Sequence, residues 1–465
     1  MDLLIVLAAL IFLMLVAYRG YSVILFAPVA ALGAVLLTDP ELVAPMFTGL
    51  FMDKMVGFLK LYFPVFLLGA VFGKLIEISG FSKSIVAATI RVVGAQRAML
   101  SIVLVCSILT YGGVSLFVVV FAVYPFAAEL FRQSNIPKRL IPGTIALGAF
   151  TFTMDALPGT PQIQNIIPTS FFGTDTWAAP ILGVVGAIFI LICGMSYLEW
   201  RRRVAATAGE GYGDNLLNEP APFSGGQLAN PLIAILPLVL VGVSNKLFTI
   251  WIPEVYGSSH EFMPTVMGNA APVVQEVSKV AAIWAVQGAL LVGIACVLAF
   301  AWTPVIKSFA EGSKQAIGGA MLAAMNTASE YGFGAVIAAL PGFLIVAKAL
   351  SAIPDPLVNE AITVTSLAGI TGSASGGMSI ALAAMSETFI ANANAVGIPM
   401  EVLHRVASMA SGGMDTLPHN GAVITLLAVT GLTHRQSYKN IFAITIIKTL
   451  AVFVIIATYY LTGWV

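Results

Sequence analysis

Two five-residue stretches limit what this chain can become: Met154-Asp155-Ala156-Leu157-Pro158 and Met414-Asp415-Thr416-Leu417-Pro418. Each interrupts an apolar run of membrane-helix length, in 140–169 and in 402–431, with an acid and a helix breaker at about mid-depth. Around them, 59% of the 465 residues are hydrophobic and 9% are charged, with a mean hydropathy of +0.96. A soluble domain carries about 25% charged residues, so the chain reads as a polytopic membrane protein. Lysines plus arginines equal acids at 22 each, which leaves no basic face for nucleic acid. Cys106, Cys193 and Cys296 stand far apart, without disulfide or metal spacing. The opening MDLLIVLAALIFLMLV lacks the basic n-region and cleavage site of a signal peptide and is expected to remain as a first helix.

Stretches able to span a roughly 30 Å apolar core fall near 3–18, 21–38, 58–79, 178–198, 228–249, 280–302, 322–346 and 440–463. Two regions depart from that scheme. In 98–131, arms of 14 and 16 apolar residues flank Gly112-Gly113-Val114-Ser115, and 362–393 repeats the arrangement around Gly376-Gly377-Met378-Ser379. Short arms around a glycine-rich break predict a re-entrant hairpin, with two ordinary short helices as the alternative. Non-helical backbone survives at membrane depth only where protein or a water-filled cavity satisfies it.

These motifs recur in order. Gly69-Ala70-Val71 returns as Gly334-Ala335-Val336, the two GG motifs follow, Ile136-Pro137 returns as Ile398-Pro399, and the MD-LP motifs close the series. The offset drifts from 265 through 264 and 262 to 260, as expected of an internal repeat. Basic residues give the relative orientation. The loop after the first hairpin carries Arg132, Lys138 and Arg139 while its counterpart carries none. The loop after the first broken run carries none while its counterpart has Arg435 and Lys439. The reversal predicts an all-α membrane protein of two inverted-topology repeats, each with a re-entrant helical hairpin and a discontinuous transmembrane helix, in about ten crossings plus two hairpins. Residues 1–39 and 227–304 are assigned to scaffold helices, 40–200 and 305–465 to the repeats, and 201–226 to a cytoplasmic linker. Both termini then lie outside the cytoplasm.

Inverted repeats with broken helices mark secondary transporters, whose site lies at the midplane between the halves. Amide groups freed at a half-helix N-terminus attract an anion, and freed carbonyls with Asp155 and Asp415 attract a cation or proton. An aspartate at mid-helix costs about 2.5–3.5 kcal/mol on insertion, so the pair demands compensation. Each aspartate also suits the plain role of capping the half-helix after its break, with Pro158 or Pro418 in the first turn. Each hairpin tip is expected to meet the break of its own half. Gly112, Gly113 and Ser115 are thus placed near Asp155, and Gly376, Gly377 and Ser379 near Asp415. His419 and Asn420 in the second break stand opposite Gly159 and Thr160 in the first, with Gln162 and Gln164 following. The tip glycines and serines, Asp155, Gly159, Thr160, Asp415, His419 and Asn420 form the expected substrate site. Gln162 and Gln164 suit hydroxyl and carboxylate recognition, with Gln164 alternatively only lining the half-helix, and Asp155, Asp415 and His419 are the proton-coupling candidates. Glu330 is expected at the cytoplasmic interface or in proton coupling. Lys60, Lys74 and Lys348 are expected to snorkel, His404 and Arg405 to be interfacial, and His260 and His434 to be solvated.

The chain resembles the gluconate permease family of the ion transporter superfamily through TMDALPGTPQIQNIIPTSFFGT (153–174), YGGVSLFVV (111–119) and SGGMDTLPHNGAVITLLAVTGLTHRQSYKNIF (411–442). The resemblance runs over nearly the whole length. It implies a bacterial inner-membrane symporter of small hydroxy-acid anions, such as gluconate or 3-hydroxybutyrate, usually coupled to protons. It further implies a homodimer whose hairpins and broken helices move as an elevator. No cofactor or metal is expected, and sodium coupling, served by serines, asparagines and free carbonyls, stays open. The four motifs contain no arginine, which argues mildly against a multiply charged acid. A channel and a membrane enzyme are the rival classes, the latter lacking any nucleophile motif or metal-spaced histidine set. In a cysteine-free background, cysteines replacing Asn135 and Ala395 should label from opposite sides of the membrane; same-side labelling refutes the inversion.

Overall fold

The computed structural model describes residues 1–465 apart from 20, 95–96, 215, 221–227, 263–271 and 419. The protein is an all-α membrane protein. Among the described residues, the only sheet is one antiparallel pair in an exposed loop, Ser259–Phe262 with Val273–Glu276. Five helical stretches among these residues are long and apolar enough to cross a membrane: Pro40–Ile78, Pro180–Thr207, Pro231–Tyr256, Ala281–Ala339 and His434–Thr462. Asp2–Tyr18 and Val23–Thr38 are shorter apolar helices packed on each other.

The 59-residue helix Ala281–Ala339 would extend about 90 Å if straight, far beyond the membrane core. It bends at Ala301, whose backbone leaves the helical region (φ −133°, ψ 35°). The cause is Pro304, which removes a donor and clashes with the carbonyl four residues back. Beyond the bend, Lys307, Glu311 and Lys314 face solvent while Val305, Gly312, Ala316, Ala320 and Ala324 form a buried stripe. The span expected at 322–346 is divided, because Leu340 precedes a proline and takes an extended conformation; a new helix, Pro341–Ser351, follows.

Both regions fold as helix–turn–helix units, with a difference in register. The first joins Ala98–Tyr111 to Leu116–Gln133 through residues 112–115, where Gly113 has φ +95°. The second joins Pro356–Thr371 to Ala374–Val396. Its turn is Gly372-Ser373, so Gly376, Gly377 and Ser379 lie inside the second arm rather than at the tip. Gly372 supplies the left-handed residue (φ +70°) that ends the first arm. Ser373 caps the second arm by accepting a hydrogen bond from Gly376 N at 3.1 Å.

The two broken segments run past each other in opposite directions. The first begins beside Arg139, whose carbonyl accepts from Ser437 Oγ (2.8 Å), and ends near Thr174, whose hydroxyl bonds His404 Nδ1 (2.7 Å). The second starts at that His404 end and finishes at Ala428–Thr430, next to the polar segment that follows Pro180–Thr207. That polar segment is bound rather than free. Glu219 pairs with Arg132 (2.5 Å) and Lys138 (2.7 Å), Glu210 pairs with Arg139 (2.5 Å), and Asn218 Nδ2 donates to Ala428 O (2.8 Å). Lys138 is almost wholly buried beneath it.

Burial raises the Glu219 carboxyl, but hydrogen bonds from Lys138, Arg132 and Tyr212 together outweigh it and hold the group below its ordinary value. The hydrogen bond from Arg139 does the same for Glu210. Folded-state values below the unfolded ones mean that these contacts stabilise fully above the ordinary carboxylate range, near pH 4, and weaken as pH falls through the lowered values. Glu219→Gln should therefore lower the melting temperature of the purified protein at neutral pH, at a cost of about 1–3 kcal/mol, and flatten its loss on acidification. An unchanged melting curve at both pH values removes the segment's clamping role.

Candidate functional site

The first break is built by local hydrogen bonding. The helix Ile141–Ala149 ends as Thr151 Oγ1 and Thr153 Oγ1 take the carbonyls of Leu147 (2.5 Å) and Gly148 (2.9 Å), the competition by which threonine hydroxyls cap helix ends. One turn, Phe152–Asp155, precedes Pro158, Gly159 (φ +78°) and Pro161, and the chain is helical again at Ile163–Phe172. In the second break, Met400–Gly412 tightens into a 3₁₀ turn, Gly413–Thr416, and Leu417 is extended before Pro418. Asn420 caps the following helix Gly421–Thr430 by accepting from Ala422 N (2.7 Å). His419 lies outside the described residues.

Asp155 is fully buried and forms an ion pair with Lys448 Nζ at 2.6 Å; Lys448 is equally buried and donates to Phe150 O at 3.0 Å. The pair fits because residue 412 is glycine: any side chain there would collide with the Asp155 carboxylate and the Lys448 ammonium. With Asp415 and Arg405 buried in the same region, the centre holds two carboxylates and two cations. Asp415 accepts from Ala374 N (3.0 Å) at the second hairpin tip, from Gln164 Nε2 (2.7 Å) and, at 3.4 Å, from Asn420 Nδ2. Asn420 Nδ2 also donates to Gly372 O (2.8 Å).

The carbonyls released by the first break are taken by the second segment. Arg405, entirely buried, donates to Asp155 O (2.7 Å), Asn165 Oδ1 (2.9 Å) and Ala178 O (2.6 Å), and Ser408 Oγ reaches Asp155 O (3.0 Å) and Gln164 O (2.9 Å). His404 and Arg405 are thus internal rather than interfacial. An arginine enclosed among backbone carbonyls supplies the donors that the broken helix lost, which the sequence position at a segment start does not reveal.

The first hairpin tip also meets its own break, on the far side. Tyr111 OH donates to Pro158 O (2.8 Å), Gln162 Nε2 donates to Thr110 O (2.7 Å), and a Cβ at Gly113 would lie 3.3 Å from Pro161. Gly112 packs on Leu238, and Ser115 precedes the second arm without capping it. Other expected site residues are committed to the scaffold. Thr160 Oγ1 bonds Thr153 O (2.7 Å), Ser379 Oγ bonds Ser375 O (2.7 Å), Gly377 admits the Ala368 backbone, and Gly376 leaves room for the Glu330 carboxylate. Glu330 is correspondingly buried, not interfacial. Lys60 and Lys348 remain exposed and Lys74 pairs with Glu77 (2.9 Å). His260 and His434 are exposed as expected, and His434 Nε2 contacts Pro418 O (2.8 Å). At the Thr174 end, a cavity of about 770 Å³ is lined by Asp175, Trp177, Lys246 and Glu401. Trp177 separates it from Gly159, and Lys246 Nζ lies 5.1 Å from the Trp177 ring centre.

Lys448 is the main residue that motif reading missed. Its signal was present: a lone lysine within IFAITIIKTLAVFVII (441–456) is an intramembrane charge, which marks function by default. Removing one member of a buried pair costs about 3–5 kcal/mol because the other is left uncompensated. Lys448→Ala and Asp155→Ala should each lower the melting temperature, and the double variant should recover part of the loss; strictly additive losses show that the two side chains do not interact.

No family model matches the chain. It is 60% identical over 474 residues to the uncharacterized transporter YxjC of Bacillus subtilis (strain 168), covering 100% of both chains. Its fold is similar at 13% identity and a TM-score of 0.47 to the Alcanivorax borkumensis YdaH transporter, over 92% of this chain and 90% of that one. The full-length identity is decisive: the chain belongs to the transporter family that includes Bacillus subtilis YxjC.

Proposed function

We propose that the protein is a secondary active transporter of the gluconate permease type, carrying a small hydroxy-monocarboxylate such as 3-hydroxybutyrate or a gluconate-like sugar acid in symport with protons. The observation that carries this reading is the 2.6 Å pair of Asp155 and Lys448 between the two breaks. A buried pair of opposite charges is neutral; adding a carboxylate anion alone leaves a net charge that a dry site does not tolerate. Adding a proton to Asp155 together with the anion restores neutrality, since Lys448 is then released to face the substrate carboxylate. One proton for one monocarboxylate follows from charge balance, and a second carboxylate on the substrate would break it. Asp415, held by Ala374, Gln164 and Asn420, ties the second hairpin tip to the same centre.

In this reading the halves are inverted repeats, the hairpins and broken segments move together as an elevator, and the scaffold helices form a homodimer in a bacterial inner membrane. The polar clamp Glu210–Glu219 faces the cytoplasm, and the cavity lined by Trp177 and Lys246 is the outer vestibule. The antiparallel course of the broken segments supports this assignment. Asp155 and Asp415 carry or tune the proton, and His419, beside Asn420 in the second break, is a further substrate contact.

Proteoliposomes with an inward proton gradient should accumulate labelled 3-hydroxybutyrate or gluconate chemically unaltered, and a protonophore should abolish the accumulation. Asp155→Asn and Asp415→Asn should each lose gradient-driven accumulation while Asp155→Asn retains exchange of internal for external substrate. Wild-type accumulation in both variants, or accumulation driven by sodium alone, overturns the coupling scheme; absence of counterflow in the wild-type protein favours a channel.

A further inference from the structure

Glu330 sits on the second limb of Ala281–Ala339, is 3% exposed, and plays no part in the charge balance described above. Its carboxyl group and the Ser373 hydroxyl border the same space beside Gly376. The carboxyl Oε2 has no hydrogen-bond partner among the described residues and fills the space that a side chain at Gly376 would need. Ser373 is the cap of the second hairpin arm, and the next residue, Ala374, gives its N–H to Asp415 (3.0 Å). Two carboxyl groups from different elements therefore flank Ser373 and Ala374, where the turn enters the second arm.

The groups facing Glu330 are few. Thr327 on its own helix and Ser375 on the arm are neutral, 3.3 Å apart at their hydroxyls. Asp415, bonded to Ala374 N, is the anion on the other side of the turn. On the neighbouring stretch Pro40–Ile78, Glu41, Asp53 and Lys54 are exposed, Lys60 lines a surface groove with Met321 and Met325, and Lys74 is paired with Glu77. Val23–Thr38 has no charged residue, Gln164 of Ile163–Phe172 is bound to Asp415, and Lys246 of Pro231–Tyr256 lies over Trp177. No cation among the described residues balances Glu330, and with its carboxylate filling the glycine gap the place suits a proton rather than a metal ion.

We propose that Glu330 is a proton-binding site at the tip of the second hairpin, and that its protonation state decides whether the tip stays closed on Asp415. Protonated, the neutral acid donates to Ser373 and leaves Asp415 the sole anion beside the turn. Deprotonated, with the proton released to water, two anions flank residues 373–374 without a cation between them, and the turn loosens. This deepens the symport reading, on which it rests for its purpose, by naming a gate-linked proton position separate from the Asp155–Lys448 pair.

The test uses the full chain, cysteine-free except for a probe cysteine at Ile370 beside the turn, with a cysteine at exposed Ala395 as the reference. The ratio of maleimide labelling rates at 370 and 395 should rise severalfold from mildly acidic to mildly alkaline buffer. Glu330→Gln should hold it low at every pH, and Ser373→Ala, which removes the hydroxyl partner but keeps the acid, should shift its midpoint. Infrared difference spectra should show a carboxylic C=O band lost on alkalinisation, absent in Glu330→Gln and kept in Asp415→Asn. An unchanged labelling profile and band in Glu330→Gln overturn the proposal; if that variant does not fold, an unchanged midpoint in Ser373→Ala does so. Failure of 3-hydroxybutyrate uptake with this titration intact would count against the transport reading alone, whereas intact uptake with no titration at Glu330 would count against this site alone.

Discussion

Backbone that is not helical has to find its hydrogen bonds inside the protein once it lies at membrane depth, and this demand organises the centre of the molecule. Two segments are opened by proline and glycine, and each opening strands carbonyls and amides. Arg405 and Ser408 of the second segment satisfy the carbonyls stranded in the first, while Gln164 of the first segment donates to Asp415 in the second break. The segments are therefore mutually dependent: neither break can persist without the other. A core in which each broken segment completes the other's hydrogen bonding is stiff as a unit.

Charge imposes a second condition on the same centre. Lys448 and Asp155 are both removed from solvent, where single charges are prohibitive and a pair is tolerated only with good geometry. Gly412 supplies that geometry by leaving space for both head groups. Such a pair adds little stability compared with an apolar packing of the same volume. Away from the centre, the polar segment 208–214 and 216–220 binds the end of the first hairpin to the end of the second broken segment through Glu210, Glu219 and Asn218, so the two halves are also joined at one surface.

Much of the architecture was readable from residue order. Membrane character followed from hydropathy, the breaks from proline and glycine inside apolar runs, and the first hairpin turn from Gly112-Gly113. The second hairpin turn was displaced, because a helix tolerates Gly376-Gly377 when another backbone or carboxylate approaches that face, and Gly372 was the better stop. The span 322–346 was divided by a single proline. Arg405 and His404 were misplaced because position along a segment says nothing about which neighbour covers it.

Hydropathy and helix breakers are properties of adjacent residues, so they carry the character and interruption of the helices without any knowledge of packing. Partnership is different. That Asp155 would face Lys448, 293 positions away, that Gln164 would reach Asp415, and that Glu330 would lie against Gly376 all depend on how helices from separate parts of the chain cross. Those crossings are chosen by side-chain volume and by the need to satisfy buried polar groups together, quantities that exist only once the whole chain has packed.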